Sequence, residues 1–178
     1  MRTVVVYELL SLDGVAEHPR EFITDFDEVM RENLGRVIAS QETALLGRRT
    51  YDDWATFWPG SDIEPFASFI NSAQKYVATS TPLQGYWTNS AVIGVDVVEF
   101  SAGLKQGSGG DIGVHASISL AETLLESGLV DALRLVVAPS VQMRGRKLFD
   151  KGQPERFSLT RNVASPSGYL LLDYQRTT

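Results

Sequence analysis

Residues 109–120 have the composition of a turn that leaves room for an anion. They read Gly-Gly-Asp-Ile-Gly-Val-His-Ala-Ser-Ile-Ser-Leu, so a short apolar strand passes through small residues into a predicted helix. The first four N–H groups of a helix lack intrahelical partners, and the aligned peptide dipoles place about half a positive charge there. Ser119 and Glu122 have the spacing of a capping box, which predicts a helix start. The segment fits a pyrophosphate site, although an ordinary strand-to-helix turn would have the same pattern.

A second predicted strand-to-helix turn lies at residues 45–51 and carries two arginines. The segment reads Leu-Leu-Gly-Arg-Arg-Thr-Tyr, with Arg48 and Arg49 at the start of the helix. Guanidinium groups present a rigid fork of donors that matches phosphate oxygens. Thr50 and Asp53 repeat the capping-box spacing. The turn is a candidate for a second anion site, with a solvated helix start as the alternative.

A third predicted strand, residues 75–79, also ends in hydrogen-bond donors. Thr79 and Ser80 lead into a threonine and a proline, a sequence that a plain turn would share. Three strand ends with donor groups predict one long ligand that carries several negative charges.

These turns need a sheet that brings strand ends together. Apolar periodicity predicts strands at residues 2–10, 42–46, 75–79, 91–94, 111–115 and 129–139, a closing hairpin at 157–164 and 168–176, and helices at 21–39, 50–57, 63–73, 96–104 and 118–127. Alternating strands and helices indicate crossover units in a mostly parallel sheet, to which the hairpin adds antiparallel strands. In such α/β sheets ligands bind beyond the carboxyl ends of the parallel strands, where the three donor-rich turns lie.

Composition limits the classes of function. The 178 residues, 43% of them hydrophobic, suffice for one domain with its own core. A net charge of -6 argues against general binding to nucleic acid or to an anionic membrane. The absence of cysteine excludes disulfides and thiolate chemistry and fits a cytoplasmic protein, and the strand-like start does not resemble a signal peptide.

The histidines and serines do not form a known catalytic or metal-binding pattern. His18 and His115 are the only histidines and are far apart in the sequence, so we expect no metal site, and we expect His115 to be a packed strand residue. Ser11, Ser80 and Ser117 have no nearby histidine motif, which argues against a serine hydrolase.

The chain as a whole resembles the dihydrofolate reductase-like family. More narrowly, it is similar to the reductase domain of bifunctional riboflavin-biosynthesis proteins, the RibD C-terminal domain, and to its free-standing bacterial relatives. The motifs are, in chain order, Ser11-Leu12-Asp13-Gly14, residues 46–51, residues 111–117, residues 128–135 with Pro139, and Gly145-Arg146-Lys147-Leu148-Phe149. Each motif alone is weak, but five in the same order cover nearly the whole chain.

The resemblance implies a three-layer αβα fold over residues 1–178, a homodimer, and NADPH lying across the strand ends. Arg48, Arg49 and Thr50 would hold the adenosine-side phosphates, and Thr79 and Ser80 would lie beside the ribose 2′-phosphate. The start of the later helix would lie under the pyrophosphate. The complete set of implied cofactor residues is Gly47, Arg48, Arg49, Thr50, Thr79, Ser80, Val114, Ala116, Ser117, Ile118, Ser119 and Leu120. The family often has two glycines joined by a cis peptide where this chain has Ala116 and Ser117.

The substrate pocket implied by the resemblance is bounded by a carboxylate and aromatic rings. We expect Asp13, Asp27, Tyr51 and Trp54 to bind the substrate, because such groups suit a flat heterocycle with ring N–H donors. Helical spacing also allows Trp54 to be a core residue, and Asp27 to lie on a solvated helix face. Val15 occupies the position where the riboflavin enzymes commonly have a lysine that helps to bind a phosphorylated sugar.

The expected reaction is hydride transfer from NADPH to a C=N or C=O carbon of a small heterocycle or ribosylaminopyrimidine. Asp13 or an ordered water would supply the proton. One alternative is a true dihydrofolate reductase. Another is a nucleotide-binding protein of this fold without turnover, an option that Ala116 and Val15 keep open.

Overall fold

The computed structural model describes residues 1–177, in which eight strands form one sheet with helices on both faces. The strands are β1 Val4–Leu10, β2 Gln41–Gly47, β3 Gln74–Ala78, β4 Ser90–Val92, β5 Asp111–His115, β6 Ala132–Val137, β7 Phe157–Ala164 and β8 Leu170–Arg176. The helices are α1 Glu28–Ile38, α2 Arg48–Phe57, α3 Phe66–Ser72, α4 Val97–Gln106 and α5 Ile118–Glu126. None of the helices in this part of the chain has the length and hydropathy needed to cross a lipid bilayer.

The sheet is mixed and mostly parallel, as the sequence predicts. Its strand order is β4-β3-β2-β5-β1-β6-β8-β7. The pairings among β1 to β6 are parallel, whereas β8 runs antiparallel to both β6 and β7. The carboxyl ends of β1 to β6 therefore share one edge of the sheet, and the turns after β2, β3 and β5 lie along it.

Two apolar layers cover the sheet and confirm the three-layer αβα architecture. Alternate residues of a strand point to opposite faces, and β1 shows this directly. Tyr7 belongs to the layer that contains residues of α1, α2 and α3. Val4, Val6 and Leu10 belong to the layer that contains residues of α5 and, at its margin, α4.

Several predicted boundaries differ from the observed ones, and two of the differences have a clear physical cause. The sequence predicts the first helix from residue 21, but α1 begins at Glu28, because the Asp27 side chain accepts a hydrogen bond from the Met30 amide and caps the helix there. Phe22 has helical spacing but packs into the core from outside the helix. The strand predicted over residues 129–139 is shorter and covers Ala132–Val137. Asp131 lies before it, and its side chain accepts a hydrogen bond from the Val4 amide.

Candidate functional site

The turns after β2 and β5 are joined into one structure by side-chain hydrogen bonds. The Ser117 Oγ accepts from the Gly47 amide at 2.9 Å and donates to the Thr50 Oγ1 at 3.0 Å. The Thr50 Oγ1 in turn donates to the Ala116 carbonyl at 2.8 Å. The structure thus brings together the two helix starts that the sequence predicts as anion sites.

Neither of the two predicted capping boxes forms. Ser117, not Ser119, is the N-cap of α5, and its side chain makes no cap hydrogen bond because it is bound to the turn after β2. The Ser119 Oγ accepts from Arg146, whose guanidinium also pairs with Glu122 at 3.1 Å. The start of α5 consequently keeps amides without a side-chain cap, as an anion site requires.

The second capping box fails for a similar reason. Helix α2 is capped at Gly47 without a side-chain hydrogen bond, and Thr50 lies inside the helix. Its hydroxyl bonds to the turn after β5 instead of capping its own helix.

Ala116 has an unusual backbone conformation. Its φ is 48°, in the left-handed region that side chains other than glycine seldom adopt. Within residues 1–177 the only cis peptide bond joins Glu64 and Pro65, so Ala116 and Ser117 are joined by a trans peptide. The turn therefore reaches the start of α5 through a left-handed residue and a trans peptide.

The Arg48 guanidinium makes most of its contacts within the protein. Its Nε lies 2.7 Å from an Asp52 carboxylate oxygen. Its Nη1 donates to the Thr81 Oγ1 at 2.6 Å and to the Pro82 carbonyl at 2.8 Å, with a longer contact of 3.4 Å to Thr79. Arg48 therefore holds the segment after β3 against the start of α2.

Arg49 and Ser80 are exposed, and they differ from Arg48 in this respect. Among the described residues Arg49 makes no ion pair, so its charge is available to a ligand. The segment after β3 lines an open cleft of about 750 Å³, whose opposite wall is the turn from β4 into α4. Thr79 and Ser80 both lie in this lining, together with the carboxylate residue Asp96.

The apolar cofactor candidates lie in the core. Val114 and Leu120 are buried, and Ile118 packs against the same apolar layer. Their side chains are part of the packing between the sheet and α5, so only their backbone groups could contact a ligand at this turn.

Asp13 binds backbone amides in a joint between two loops. One carboxylate oxygen accepts from the Gln142 amide and the other from the Met143 amide, each at 3.0 Å. The Gln142 amide and then the Ser11 hydroxyl lower the pKa of Asp13 to about 2. At neutral pH Asp13 is therefore ionised, and its role as a proton donor stays a prediction.

The other three residues predicted to bind the substrate also make contacts that stabilise the fold. Burial by itself would raise the pKa of Asp27, but the amides of Met30 and Ser167 lower it to about 2. Tyr51 is buried against Trp87, and Trp54 packs edge-on against two further aromatic rings, those of Trp58 and Phe66. The structure places these side chains in helix capping and core packing, and their contact with a substrate stays a prediction.

His115 is packed, as expected. Its ring lies against Phe66, Phe69 and Tyr7, and its Nε2 is 2.8 Å from the Gln41 Oε1. Burial lowers its pKa to about 3. Within residues 1–177 no group of three or more His, Asp or Glu side chains is arranged to hold a metal ion.

Two ionisable residues near the joined turns are not among the site residues that the sequence predicts. Arg146 brings a cation there from the loop after β6. Glu8, near the end of β1, is buried, and burial raises its pKa to about 8, against the opposing effect of the Ser117 amide. The sequence does mark Glu8 as unusual, because it is an acidic residue within the apolar run Val-Val-Val-Tyr-Glu-Leu-Leu.

Known proteins with related sequences point to one family. Residues 2–171 match the family model of the RibD C-terminal domain. The uncharacterised protein YyaP of Bacillus subtilis strain 168 is 32% identical over 157 residues, which are 83% of this chain and 80% of that protein.

Solved structures share the fold at low sequence identity. A candidate riboflavin biosynthesis protein from Shewanella sp. PV-4 superposes with a TM-score of 0.78 at 18% identity, covering 99% of each chain. A pyrimidine reductase-like protein from Corynebacterium diphtheriae has a TM-score of 0.68 at 13% identity, over 99% of this chain and 92% of that one. A diaminohydroxyphosphoribosylaminopyrimidine deaminase/5-amino-6-(5-phosphoribosylamino)uracil reductase from Thermotoga maritima has a TM-score of 0.71 at 16% identity, and this chain spans 57% of it.

Proposed function

Because this chain belongs to the RibD C-terminal domain family, we propose that it is an NADPH-dependent reductase of a small heterocyclic or ribosylaminopyrimidine substrate. The observation that carries the proposal is the union of the helix starts after β2 and β5 through Ser117 and Thr50. This union gives a single surface at the sheet edge that can hold a dinucleotide. The reductase named in the Thermotoga maritima protein supports the substrate class.

The residues present fit such a ligand. The uncapped start of α5 offers amides to the pyrophosphate. At the neighbouring helix start, the exposed Arg49 guanidinium could bind a phosphate. The cleft beyond β3 has room for the adenosine end of the cofactor. Arg48 fixes one wall of that cleft through Thr81 and Pro82.

Bound NADPH would supply the hydride for a C=N or C=O carbon. The protein would hold the two reactants together and exclude water between them. Since Asp13 is ionised at neutral pH, we assign the proton to an ordered water and give Asp13 the role of joining the loops after β1 and β6.

The first test is cofactor binding by Arg49→Ala, with Arg48→Ala as the matched control. We expect Arg49→Ala to weaken NADPH binding about tenfold and NADH binding about twofold, because only NADPH carries the 2′-phosphate. Arg48→Ala should weaken both cofactors to a similar extent, since it loosens the wall of the cleft. Fluorescence titration gives both dissociation constants.

Turnover separates the reductase from its alternatives. NADPH oxidation should proceed with the ribosylaminopyrimidine intermediate, and faster than with dihydrofolate. Faster NADPH oxidation with dihydrofolate would identify the protein as a dihydrofolate reductase. If both cofactors bind but no imine or carbonyl substrate is reduced, the proposal that the protein is an enzyme would be wrong.

A further inference from the structure

The cleft after β3 has a single ionisable side chain in its lining, the carboxylate of Asp96. The cleft, of about 750 Å³, lies between the segment after β3 and the turn from β4 into α4. The rest of the lining that the described residues form consists of apolar side chains, one glycine, and the hydroxyls of Thr79, Ser80 and Thr81. Because no cation belongs to this lining, one negative charge sets the electrostatic character of the cleft.

The Asp96 carboxylate is fixed against the start of α4. Its Oδ1 accepts from the Val98 amide at 2.9 Å and from the Glu99 amide at 3.1 Å, which makes Asp96 the N-cap of the helix. The residue is exposed, and its Oδ2 accepts no hydrogen bond from the residues that the structure describes. A ligand in the cleft would therefore meet a carboxylate whose position the helix has already set.

The start of α4 differs in this respect from the starts of α2 and α5 at the same edge of the sheet. Neither α2 nor α5 has a side-chain cap, so their amides and dipoles can attract an anion. At α4 the Asp96 carboxylate occupies the corresponding place and binds two of the free amides. The α4 wall of the cleft therefore repels a phosphate, whereas the other two helix starts attract one.

The nearest arginines do not neutralise Asp96. Arg48, which binds the opposite wall of the cleft, pairs with Asp52 at 2.7 Å. Arg49 is exposed at the start of α2 and does not belong to the lining. Among residues 1–177 Asp96 makes no ion pair. A phosphate at the mouth of the cleft would be attracted by Arg49 and repelled by Asp96.

Resting on the dinucleotide site proposed above, we propose that Asp96 is a specificity-determining residue that lowers the preference of this protein for a 2′-phosphorylated cofactor. Hydroxyls and a carboxylate suit the hydroxyls of a ribose, which can donate to the carboxylate. A phosphate on the 2′ position instead brings a charge of about −2 toward Asp96. NADH has no such phosphate, so Asp96 opposes the binding of NADPH alone.

The test compares the wild type with Asp96→Asn, which keeps a capping oxygen but carries no charge. Fluorescence titration at pH 7 and low ionic strength gives the dissociation constants for NADPH and NADH. We expect Asp96→Asn to tighten NADPH binding about fivefold and to change NADH binding less than about twofold. Salt at about 0.5 M should reduce the gain for NADPH to less than about twofold, because it screens interactions between exposed charges.

Two further variants separate charge from folding. Glu99→Gln is the matched control, since it removes the same charge from α4 at a residue outside the lining of the cleft, and it should leave the ratio of the two dissociation constants within about twofold of the wild type. Asp96→Ser also caps without charge and should reproduce the effect of Asp96→Asn. An unchanged ratio in Asp96→Asn, or an equal loss of affinity for both cofactors, would overturn the inference and leave the proposed function intact.

Nucleotide fragments test where the effect arises. Adenosine 2′,5′-bisphosphate and adenosine 5′-monophosphate differ only in the 2′-phosphate, and calorimetric titration measures the affinity for each. We expect Asp96→Asn to strengthen binding of the bisphosphate alone. An equal gain for both fragments would mean that Asp96 acts on another phosphate, and the proposal would be wrong. If the wild type binds neither NADPH nor NADH, the proposed function fails and this inference falls with it.

Discussion

Glu8 is an acidic residue in an otherwise apolar strand. Three valines and a tyrosine precede it and two leucines follow it, yet it carries a carboxyl into the interior. Because burial raises its pKa to about 8, the folded protein keeps the group protonated at neutral pH. This state has a direct consequence for stability.

We predict that the stability of the wild type falls between about pH 4.5 and pH 8 relative to that of Glu8→Gln. Over this range the unfolded chain releases the Glu8 proton and the folded chain retains it, so each increase in pH favours unfolding. The difference should reach about 3–5 kcal/mol at pH 8 and stay constant above it. Urea unfolding at several pH values measures the free energy of unfolding of both proteins. If this free energy changes with pH in the same way in the two proteins, the prediction is wrong.

The sequence predicted which candidate residues lie at the helix starts more reliably than it predicted the hydrogen-bond partners of those residues. Arg49, Ser117 and Thr50 were selected as candidates and lie at the joined helix starts. Asp13 was also selected, but its partners Gln142 and Met143 are about 130 positions away in the chain. A carboxylate binds backbone amides as readily as it binds a substrate, so sequence alone could not decide between the two roles.

The start of α1 shows how one side chain sets the boundary of an element. Asp27 accepts from the Met30 amide at the helix start and from the Ser167 amide in the turn between β7 and β8. The same carboxylate thus caps a helix and ties the closing hairpin to it.

We predict that Asp27→Ala lowers the thermal unfolding midpoint by about 2–4 °C at pH 7. Asp27→Asn should lower it by about half as much, because one amide oxygen can cap the helix but cannot also accept from the Ser167 amide. Hydrogen bonds hold the pKa of Asp27 down at about 2, so its contribution is present above its ordinary pKa of 3.8 and disappears as the pH falls through 2. The difference between wild type and Asp27→Ala should therefore shrink in acid. Differential scanning calorimetry at pH 7 and pH 2.5 provides the comparison, and equal midpoints for the Ala and Asn variants at pH 7 would refute the capping role.

Element types were predictable because strand and helix periodicities differ, but element boundaries depended on distant contacts. Helical spacing of Phe22 and Phe26 extended the predicted first helix to residue 21, although both rings pack into the core outside it. Ser119 and Glu122 have capping-box spacing, but Arg146 binds both side chains. Local patterns cannot report such competition from another loop.

At the scale of the molecule, the layered architecture followed from the alternation of elements, but the strand order did not. β5 lies between β1 and β2, and this insertion brings the turn after β5 beside the turn after β2. The candidate site therefore joins two turns whose bonded residues, Gly47 and Ser117, are 70 positions apart in the chain. Only the resemblance to a known family made that arrangement predictable from the sequence.

The loops after β1 and β6 together present an exposed apolar surface, and we propose that it pairs two copies of the chain in a homodimer. The loops are joined by hydrogen bonds from the Leu12 amide to the Ser140 carbonyl and from the Ala16 amide to the Arg146 carbonyl. Exposed apolar side chains on them are Leu12, Val141, Met143 and Phe149. Clusters of this kind on a protein surface commonly mark an interface.

We predict that sedimentation equilibrium gives a mass twice the 19.6 kDa of the chain. Met143→Asp, at a side chain that is 87% exposed in the single chain, should weaken dimerisation at least tenfold, because association would bury an unpaired charge. Val95→Asp is the matched control, since Val95 is an exposed apolar residue at the other end of the sheet, beside the turn after β4. If the dimer tolerates Met143→Asp but dissociates with Val95→Asp, the interface lies instead at the edge of the sheet formed by β4. That edge is next to the cleft proposed for the adenosine end of the cofactor, so we would then expect NADPH to change the dimerisation constant.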